Sequence, residues 1–372
     1  MKMNDHSRLS TAVVRSATAA DNEALLTLVR RCPMRGDISL IIERDPDFFG
    51  LSRARGDSLT FVVEIDGAIV GCLGTWRRGA WLAGRPAEVC YVGDLRVDPD
   101  FRRRGVANQL AVKLRDYPDT LPPAPWLLAT GAGNSAVAPV AAAFGAGGPP
   151  IARFTSWQLL PVVQLKVSAG FDIGAAEQRD ECELVTLLDD FYRSRDFAPV
   201  FGNGGLRQLI ERSPDARLSD YLVARRGGRI VAAICVWDAS SVKRTRVIGM
   251  PVWLRGLCAV GRGISNLAPM PPFPRQNTAL HFRYIRHAAF APGETQALKN
   301  LVRCAVNAAR DRGDHFVLYT CVDDDPSCSA VVGAPRLSFR YSITPVDTSP
   351  EPPYFNATCT PSAWCFDDAA LD

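Results

Sequence analysis

Three consecutive arginines precede a glycine in Arg102-Arg103-Arg104-Gly105-Val106-Ala107. The segment lies between an apolar strand-like run, Glu88 to Val97, closed by Asp98-Pro99-Asp100, and Val106 to Arg115, where Leu110 and Leu114 share one helical face. The first N–H groups of a helix have no internal partner and carry partial positive charge. A turn that aims several of them at one point makes an anion site. Gly105 lets a pyrophosphate approach the backbone with no Cβ in the way. Neighbouring arginines add charge-assisted bonds worth roughly 1.5–3 kcal/mol each before screening. The competing reading is a solvated basic turn. The bare pattern Arg-x-x-Gly-x-Ala is weak, and its weight comes from context: a strand before, a helix after, then another strand and Asn134. There is no G-x-x-x-x-G-K-[ST] and no strand-adjacent G-x-G-x-x-G, so nucleotide hydrolysis and nicotinamide chemistry lack their usual cradles.

The elements that must position this turn follow from the hydrophobic pattern. Ala12 to Ser16 predicts a short strand, and Thr18 to Asp21 caps a helix through Leu25, Leu26, Leu28 and Val29. Ile38 to Glu43 predicts a second helix. Leu59 to Ile65 and Ile69 to Trp76 form a hairpin about Asp66-Gly67. Glu88 to Val97, the helix from Val106, the strand Trp126 to Thr130 and a strand pair around Phe154 to Leu165 complete a first domain over 12–168. A second domain over 175–349 echoes the order. It has a helix Leu184 to Tyr192, a hairpin about Gly227-Gly228, a strand Leu280 to Phe290, a helix Glu294 to Arg310, and strands Phe316 to Val322 and Leu337 to Val346. The repeat lies in element order, as expected of a divergent duplication. The tail, 350–372, predicts irregular chain.

Composition limits the alternatives. The 372 residues suit two domains, and 47% hydrophobic content supports a packed core. A net charge of +4, from 43 basic and 39 acidic residues, does not point to nucleic acid. Eleven cysteines show no C-x-x-C pair, which argues against a metal; Cys72, Cys90, Cys235 and Cys321 fall in apolar runs and read as reduced core thiols. His281, His287 and His315 have no ligand spacing. No signal peptide and no membrane span are expected, which makes the cytoplasm the default location.

The stretch Tyr91-Val-Gly-Asp-Leu-Arg-Val-Asp-Pro-Asp-Phe-Arg-Arg-Arg-Gly-Val-Ala107 resembles the acyl-CoA loop of the GNAT (Gcn5-related N-acetyltransferase) superfamily, and the element order from Ala12 to Leu165 is similar to that fold. The resemblance covers the second half only in outline. It implies an α/β layered architecture of tandem GNAT-like domains, with mixed, mostly antiparallel sheets flanked by helices. It implies acetyl-CoA or a longer acyl-CoA as co-substrate and transfer to an amine-bearing acceptor: a small molecule, a peptide or a protein lysine. The backbone of Leu95 and Val97 would bond the pantetheine amides, the segment Arg102, Arg103, Arg104, Gly105, Val106 and Ala107 would hold the pyrophosphate, and Asn134 would contact the cofactor.

Such chemistry needs a base or a desolvated site, because a lysine-like amine has a pKa of about 10.4. Asp94, on the strand beside the expected thioester, is the first base candidate; its alternative is a strand-edge carboxylate paired with an arginine. Glu43, with Asp45 and Asp47, could attract a cationic amine, or could be a solvated helix end. Glu88 is a weaker choice. Where many family members place an acidic Tyr, this chain has Ala141. With Gly131, Gly133, Ala136, Ala138 and Ala142 to Ala143, that change could leave room for an acyl chain longer than acetyl, or simply make an Ala-rich helix. The second half lacks the basic turn: its helix begins Ala291-Pro292-Gly293-Glu294, with a carboxylate already at the anion-friendly start. The readings are therefore an acyl-CoA N-acyltransferase, a long-chain fatty acyl variant of it, or a non-catalytic module on the same fold.

Overall fold

A computed structural model describes residues 12–117, 124–131, 138–143, 145, 148–265, 272–323 and 325–346. The first half runs β1 (Val13–Ser16), α1 (Asn22–Arg31), β2 (Ser39–Glu43), α2 (Phe48–Arg55), β3 (Asp57–Ile65), β4 (Ala68–Leu82), β5 (Arg85–Val97), α3 (Val106–Arg115), β6 (Trp126–Gly131), α4 (Ala138–Ala143) and β7 (Ala152–Leu159). The second runs β8 (Asp172–Ala175), α5 (Glu181–Tyr192), α6 (Gly205–Arg212), β9 (Tyr221–Arg226), β10 (Arg229–Trp237), β11 (Arg244–Gly249), α7 (Val252–Ser265), β12 (Phe282–Phe290), α8 (Thr295–Arg312), β13 (Phe316–Val322) and β14 (Arg336–Val346).

Twelve of these strands form one sheet, ordered β1-β3-β4-β5-β6-β14-β7-β13-β12-β10-β9-β8. The pairs are antiparallel except β5 with β6 and β12 with β13. The expected halves exchange their last strands. β14 pairs with β6 from Tyr341↔Gly131 to Val346↔Trp126, and on its other edge with β7. β7 in turn joins β13. Neither 12–168 nor 175–349 therefore owns a complete sheet. Three further joints tie the halves. β2 pairs with β11 in a separate two-stranded ladder. The tip of the β4–β5 hairpin exchanges bonds with Phe197 and Ala198 at 2.8 Å each, and Arg78 Nη2 donates to the Phe197 carbonyl at 3.3 Å.

The core follows the predicted pattern. One face of β3–β5 packs Phe61, Val63, Cys90 and Val92 against Val106, Leu110 and Leu114 of α3. The other packs Val62 and Cys72 against Leu25, Leu28 and Val29 of α1. Turn chemistry held as well: Asp66 and Gly67 both take positive φ at the β3–β4 turn, as do Gly227 and Gly228 at β9–β10.

Three readings change. Ile38 to Glu43 is not a helix: β-branched Ile41 and Ile42 lie on β2, held by Arg246 and Thr245 of a strand two hundred residues on, a partner no local pattern reveals. Phe154 to Leu165 supplies one strand rather than a pair. Cys321 is disulfide-bonded to Cys328, whereas Cys72, Cys90 and Cys235 are buried free thiols as expected.

Strand exchange makes the halves interdependent. A fragment of residues 12–168 would leave an apolar β6 edge bare and β7 without either neighbour. It should show no cooperative melting transition by calorimetry, whereas the full chain should melt cooperatively; an independently folded fragment would contradict the topology.

Candidate active site

The site is built on a fault in the β4–β5 ladder. Gly71 faces Val97 and Cys72 faces Arg96, but Gly74 faces Gly93, so Leu73 opposes both Asp94 and Leu95. Asp94 has φ +54°, the left-handed region that a β-bulge uses. Beyond the fault β5 bends away from β6. Their parallel pairing stops at Val92↔Leu128, while β5 continues to Val97 and β6 to Gly131. Backbone groups of Gly93 to Val97 thus border a wedge instead of a neighbouring strand. Across it, residues Arg336 to Arg340 of β14 pair with β7, and the described β6 ladder reaches β14 only as far as Gly131 opposite Tyr341.

The arginine turn closes the wide end of the wedge. Asp98 caps a short 3-10 turn by accepting from the Asp100 N–H at 3.0 Å, and its carboxylate takes two bonds from Arg31 of α1 at 2.6 and 3.0 Å. Arg102 folds back, Nε donating to the Val97 carbonyl at 3.2 Å; Cys32 Sγ lies 3.4 Å from the same oxygen. Arg103 takes φ +61° and Gly105 φ +84°, and both are exposed with Arg102 and Arg104. Arg104 stacks over Phe101, 5.5 Å from the ring centroid. Gly105 is the N-cap of α3 and supplies no side-chain cap, so the N–H groups of the first turn point outward with the helix dipole behind them. Val106 is buried and fixes the turn to the sheet, and Gly71 makes room for it: a Cβ there would lie 2.6 Å from Val106 Cγ1.

The base candidates are placed differently from expectation. Asp94 is the arginine-paired carboxylate of the alternative reading. Its side chain is 6% exposed and is gripped by Arg44 Nη1 at 2.9 Å, by a second bond from Arg44 Nη2, and by Arg55 Nη1 at 2.6 Å. Burial alone would raise its pKa; the two guanidinium groups overcome that and hold it far below the carboxylate range, which makes it a poor proton acceptor. Glu43 does not face an acceptor either: both its oxygens accept from Arg246 of β11, at 2.7 and 3.1 Å. Asp45 is bound by Arg30, Asp47 caps α2 and is bound by Arg53, and Glu88 is bound by Arg77. The acidic attraction expected around the acceptor is thus neutralised residue by residue.

Sequence reasoning missed the cations of this cluster. Arg44 stands 5.0 Å from the Phe48 ring centroid and Arg55 4.3 Å from that of Trp76, which stacks on Tyr91. Gly93 permits the stack, since a Cβ there would meet the Trp76 ring at 2.8 Å. Cys72, 3.5 Å from the Asp94 carbonyl oxygen, is no nucleophile: burial pushes its thiol up to about 12. Ala141 lies buried on α4, in the core cluster of Leu110 and Leu128, and Gly131 faces open space. Asn134, Gly133 and Ala136 lie outside the described residues.

Residues 23–120 match the model of the acetyltransferase (GNAT) family. The likeness to that family by sequence is confined to those residues, about a quarter of the chain. No curated protein matches by sequence. Among solved structures, N-myristoyltransferase of Saccharomyces cerevisiae with bound myristoyl-CoA superposes with a TM-score of 0.60 at 10% identity, over 91% of this chain and 78% of that one. A GCN5-related N-acetyltransferase from Sphaerobacter thermophilus gives 0.56 at 12%, over 92% and 98%. A tandem GNAT protein from the clavulanic acid biosynthesis pathway gives 0.56 at 14%, over 92% and 100%. At these identities the likeness is one of fold, and it extends over both halves.

The second half carries a similar bulge without the opening. His287, at φ +52°, occupies the matching bulge of β12, where the β10 ladder shifts register. It is buried and bonded to the Tyr221 hydroxyl, while Tyr192 donates to the Ala288 carbonyl at 2.9 Å. Ala330 and Val331 fill the space beside Phe290 and Leu301. Glu294 stands at the start of α8 and pairs with Arg226 at 2.8 Å. Among the described residues no group of His, Cys, Asp and Glu could hold a metal.

Removing one partner of a buried ion cluster strands the others. Asp94→Leu should therefore cost about 3–5 kcal/mol in urea unfolding, far more than a solvated carboxylate would. Because the folded pKa of Asp94 is depressed, its stabilisation is complete above the unfolded value of about 3.9 and is lost only as pH falls through and below it. Glu43→Gln should cost about 1 kcal/mol or less and leave the pH–rate profile in place; a loss of roughly a hundredfold or more in kcat would restore Glu43 as a base.

Proposed function

We propose that this chain is an acyl-CoA-dependent N-acyltransferase that moves an acyl group from CoA to an amine by direct attack within a ternary complex. The observation that supports it most is the wedge at the Asp94 bulge, opening beside the uncapped start of α3. The first is shaped for an extended arm with amide groups; the second is suited to a pyrophosphate. In this reading the N–H groups from Arg103 to Ala107 hold the diphosphate, Arg103 and Arg104 add charge, and the backbone of Leu95 and Val97 borders the pantetheine. The polar backbone of the bulge lies where an oxyanion would form. The protonated Cys72 speaks against an acyl-cysteine intermediate. With Asp94 and Glu43 both committed to arginines, desolvation of the amine is the favoured route to its lone pair.

Acetyl is the default donor. The longer-chain reading gains from two observations: Gly131 faces open space beside the wedge, and the chain shares its fold with a protein bound to myristoyl-CoA. One site serves the chain in this reading, since Glu294 and Val331 close the matching place in the second half.

Calorimetric titration with acetyl-CoA and with myristoyl-CoA tests it. The wild type should bind at least one of them. Gly105→Glu, which puts a carboxylate at the anion site and a Cβ at φ +84°, should weaken binding by about tenfold or more, equivalent to about 1.4 kcal/mol. Binding of neither donor, or binding unchanged by the substitution, would overturn the proposal. Tight binding with no acyl transfer to any of a panel of amines, followed by mass spectrometry, would favour the non-catalytic module.

A further inference from the structure

Helix α7 presents apolar side chains to the solvent. Val252 is 74% exposed, Trp253 69%, Leu257 59% and Val260 62%. At 100° per residue they share one arc of about 140°. The core side of the helix is separate: Cys258 is buried, and Gly261 lies so close to Phe273 that a Cβ would meet its ring at 2.5 Å. The helix is therefore already seated on the protein, and its outward arc is surplus to folding. A contiguous exposed apolar arc with a tryptophan at its centre marks a docking surface.

Charge identifies the occupant. No Asp or Glu occurs from Ala239 to Gly293, a stretch with eight Lys and Arg; Lys243 and Arg286 are buried and Arg246 and Arg283 pair with Glu43 and Asp238, which leaves Arg244, Arg255, Arg262 and Arg275. Arg255 borders the apolar arc on the Val252 side; Arg262 lies nearer the buried Cys258 and donates to the Pro274 carbonyl at 3.2 Å. At the end of the helix, Arg262, Arg275, His281 and His315 line a cavity of about 460 Å³, with the two imidazoles stacked 5.9 Å apart. Arg255 and Arg275 are exposed and have no ion-pair partner among the described residues. Apolar anchors, a basic border and a basic cavity at the end of the same helix together suit a surface that is apolar inside and anionic at its boundary. No described helix is long and apolar enough to cross a bilayer, so the contact is one of lying on, not spanning.

We infer that α7 docks this protein onto anionic membrane surfaces: Trp253, Leu257 and Val260 insert at the acyl boundary, and the exposed Arg255 and Arg275 meet lipid phosphates. The full-length protein should co-sediment with vesicles of phosphatidylcholine and phosphatidylglycerol, and much less with phosphatidylcholine alone. The double variants Trp253→Glu/Leu257→Glu and Arg255→Glu/Arg275→Glu should each lower the partition coefficient by about tenfold or more, with affinity for acyl-CoA unchanged. Added salt should weaken binding of the wild type. Free glycerol phosphate at millimolar concentration should not displace it; displacement would make the cavity a small-anion site and overturn the membrane assignment. Absence of co-sedimentation overturns it too, as does binding that survives both double variants. A monomer–dimer equilibrium in sedimentation velocity that Trp253→Glu abolishes, without vesicle binding, would assign the arc to a second copy of the chain.

Discussion

The carboxylate of Asp94, held between Arg44 and Arg55, is the contact on which the site depends. A bulge at positive φ is not a stable habit for an aspartate by itself, and a strand kept straight would pair with β6 along its whole length. The guanidinium groups arrive from the end of β2 and the end of α2, so the first helices and the β2–β11 ladder all converge on the fault in β5. Desolvating these charges is costly, and the cluster is better understood as a specificity device than as a gain in stability. It fixes one register and one place where β5 leaves β6. From that follow a stretch of β5 that has left β6, and a helix start at its wide end.

The two halves use the same fault for different ends. Asp94 and His287 sit at equivalent bulges with nearly the same φ, each followed by a glycine near the start of a helix. In the first half the bulge opens onto space. In the second, Tyr221, Tyr192, Val331 and Glu294 occupy each feature in turn, and the space becomes core. The duplicated frame persists because the sheet needs it, while the opening survives only where side chains leave it clear.

Much of this was legible in the sequence, for identifiable reasons. Gly105 before Val106, Leu110 and Leu114 marks an uncapped helix start, because glycine position and 3.6-residue period are local properties. Asp66-Gly67 marks its hairpin for the same reason. β2 was misread because Ile41 and Ile42 fit either period over so short a run, and their partner, β11, is far away in sequence. Asp94 lies on the expected strand, but nothing in Tyr91 to Val97 reveals which arginines, Arg44 and Arg55, close on it. The strand exchange had no signal at all: Leu337 to Val346 reads as a last strand of the second half, and only the shared edges of β6 and β7 determine where it goes.

That exchange has a consequence for the order of events during synthesis. The first half emerges with the arginine turn and β5 complete, yet β6 has no neighbour on its far edge until β14 is made. Until then the wedge is bounded on one side only, and its strands are held by contacts of very long sequence separation, which form slowly. A nascent chain would thus complete the arginine turn early and the cleft beside it late. The cleft beside the arginine turn is therefore closed by the last strand of the described chain to be made.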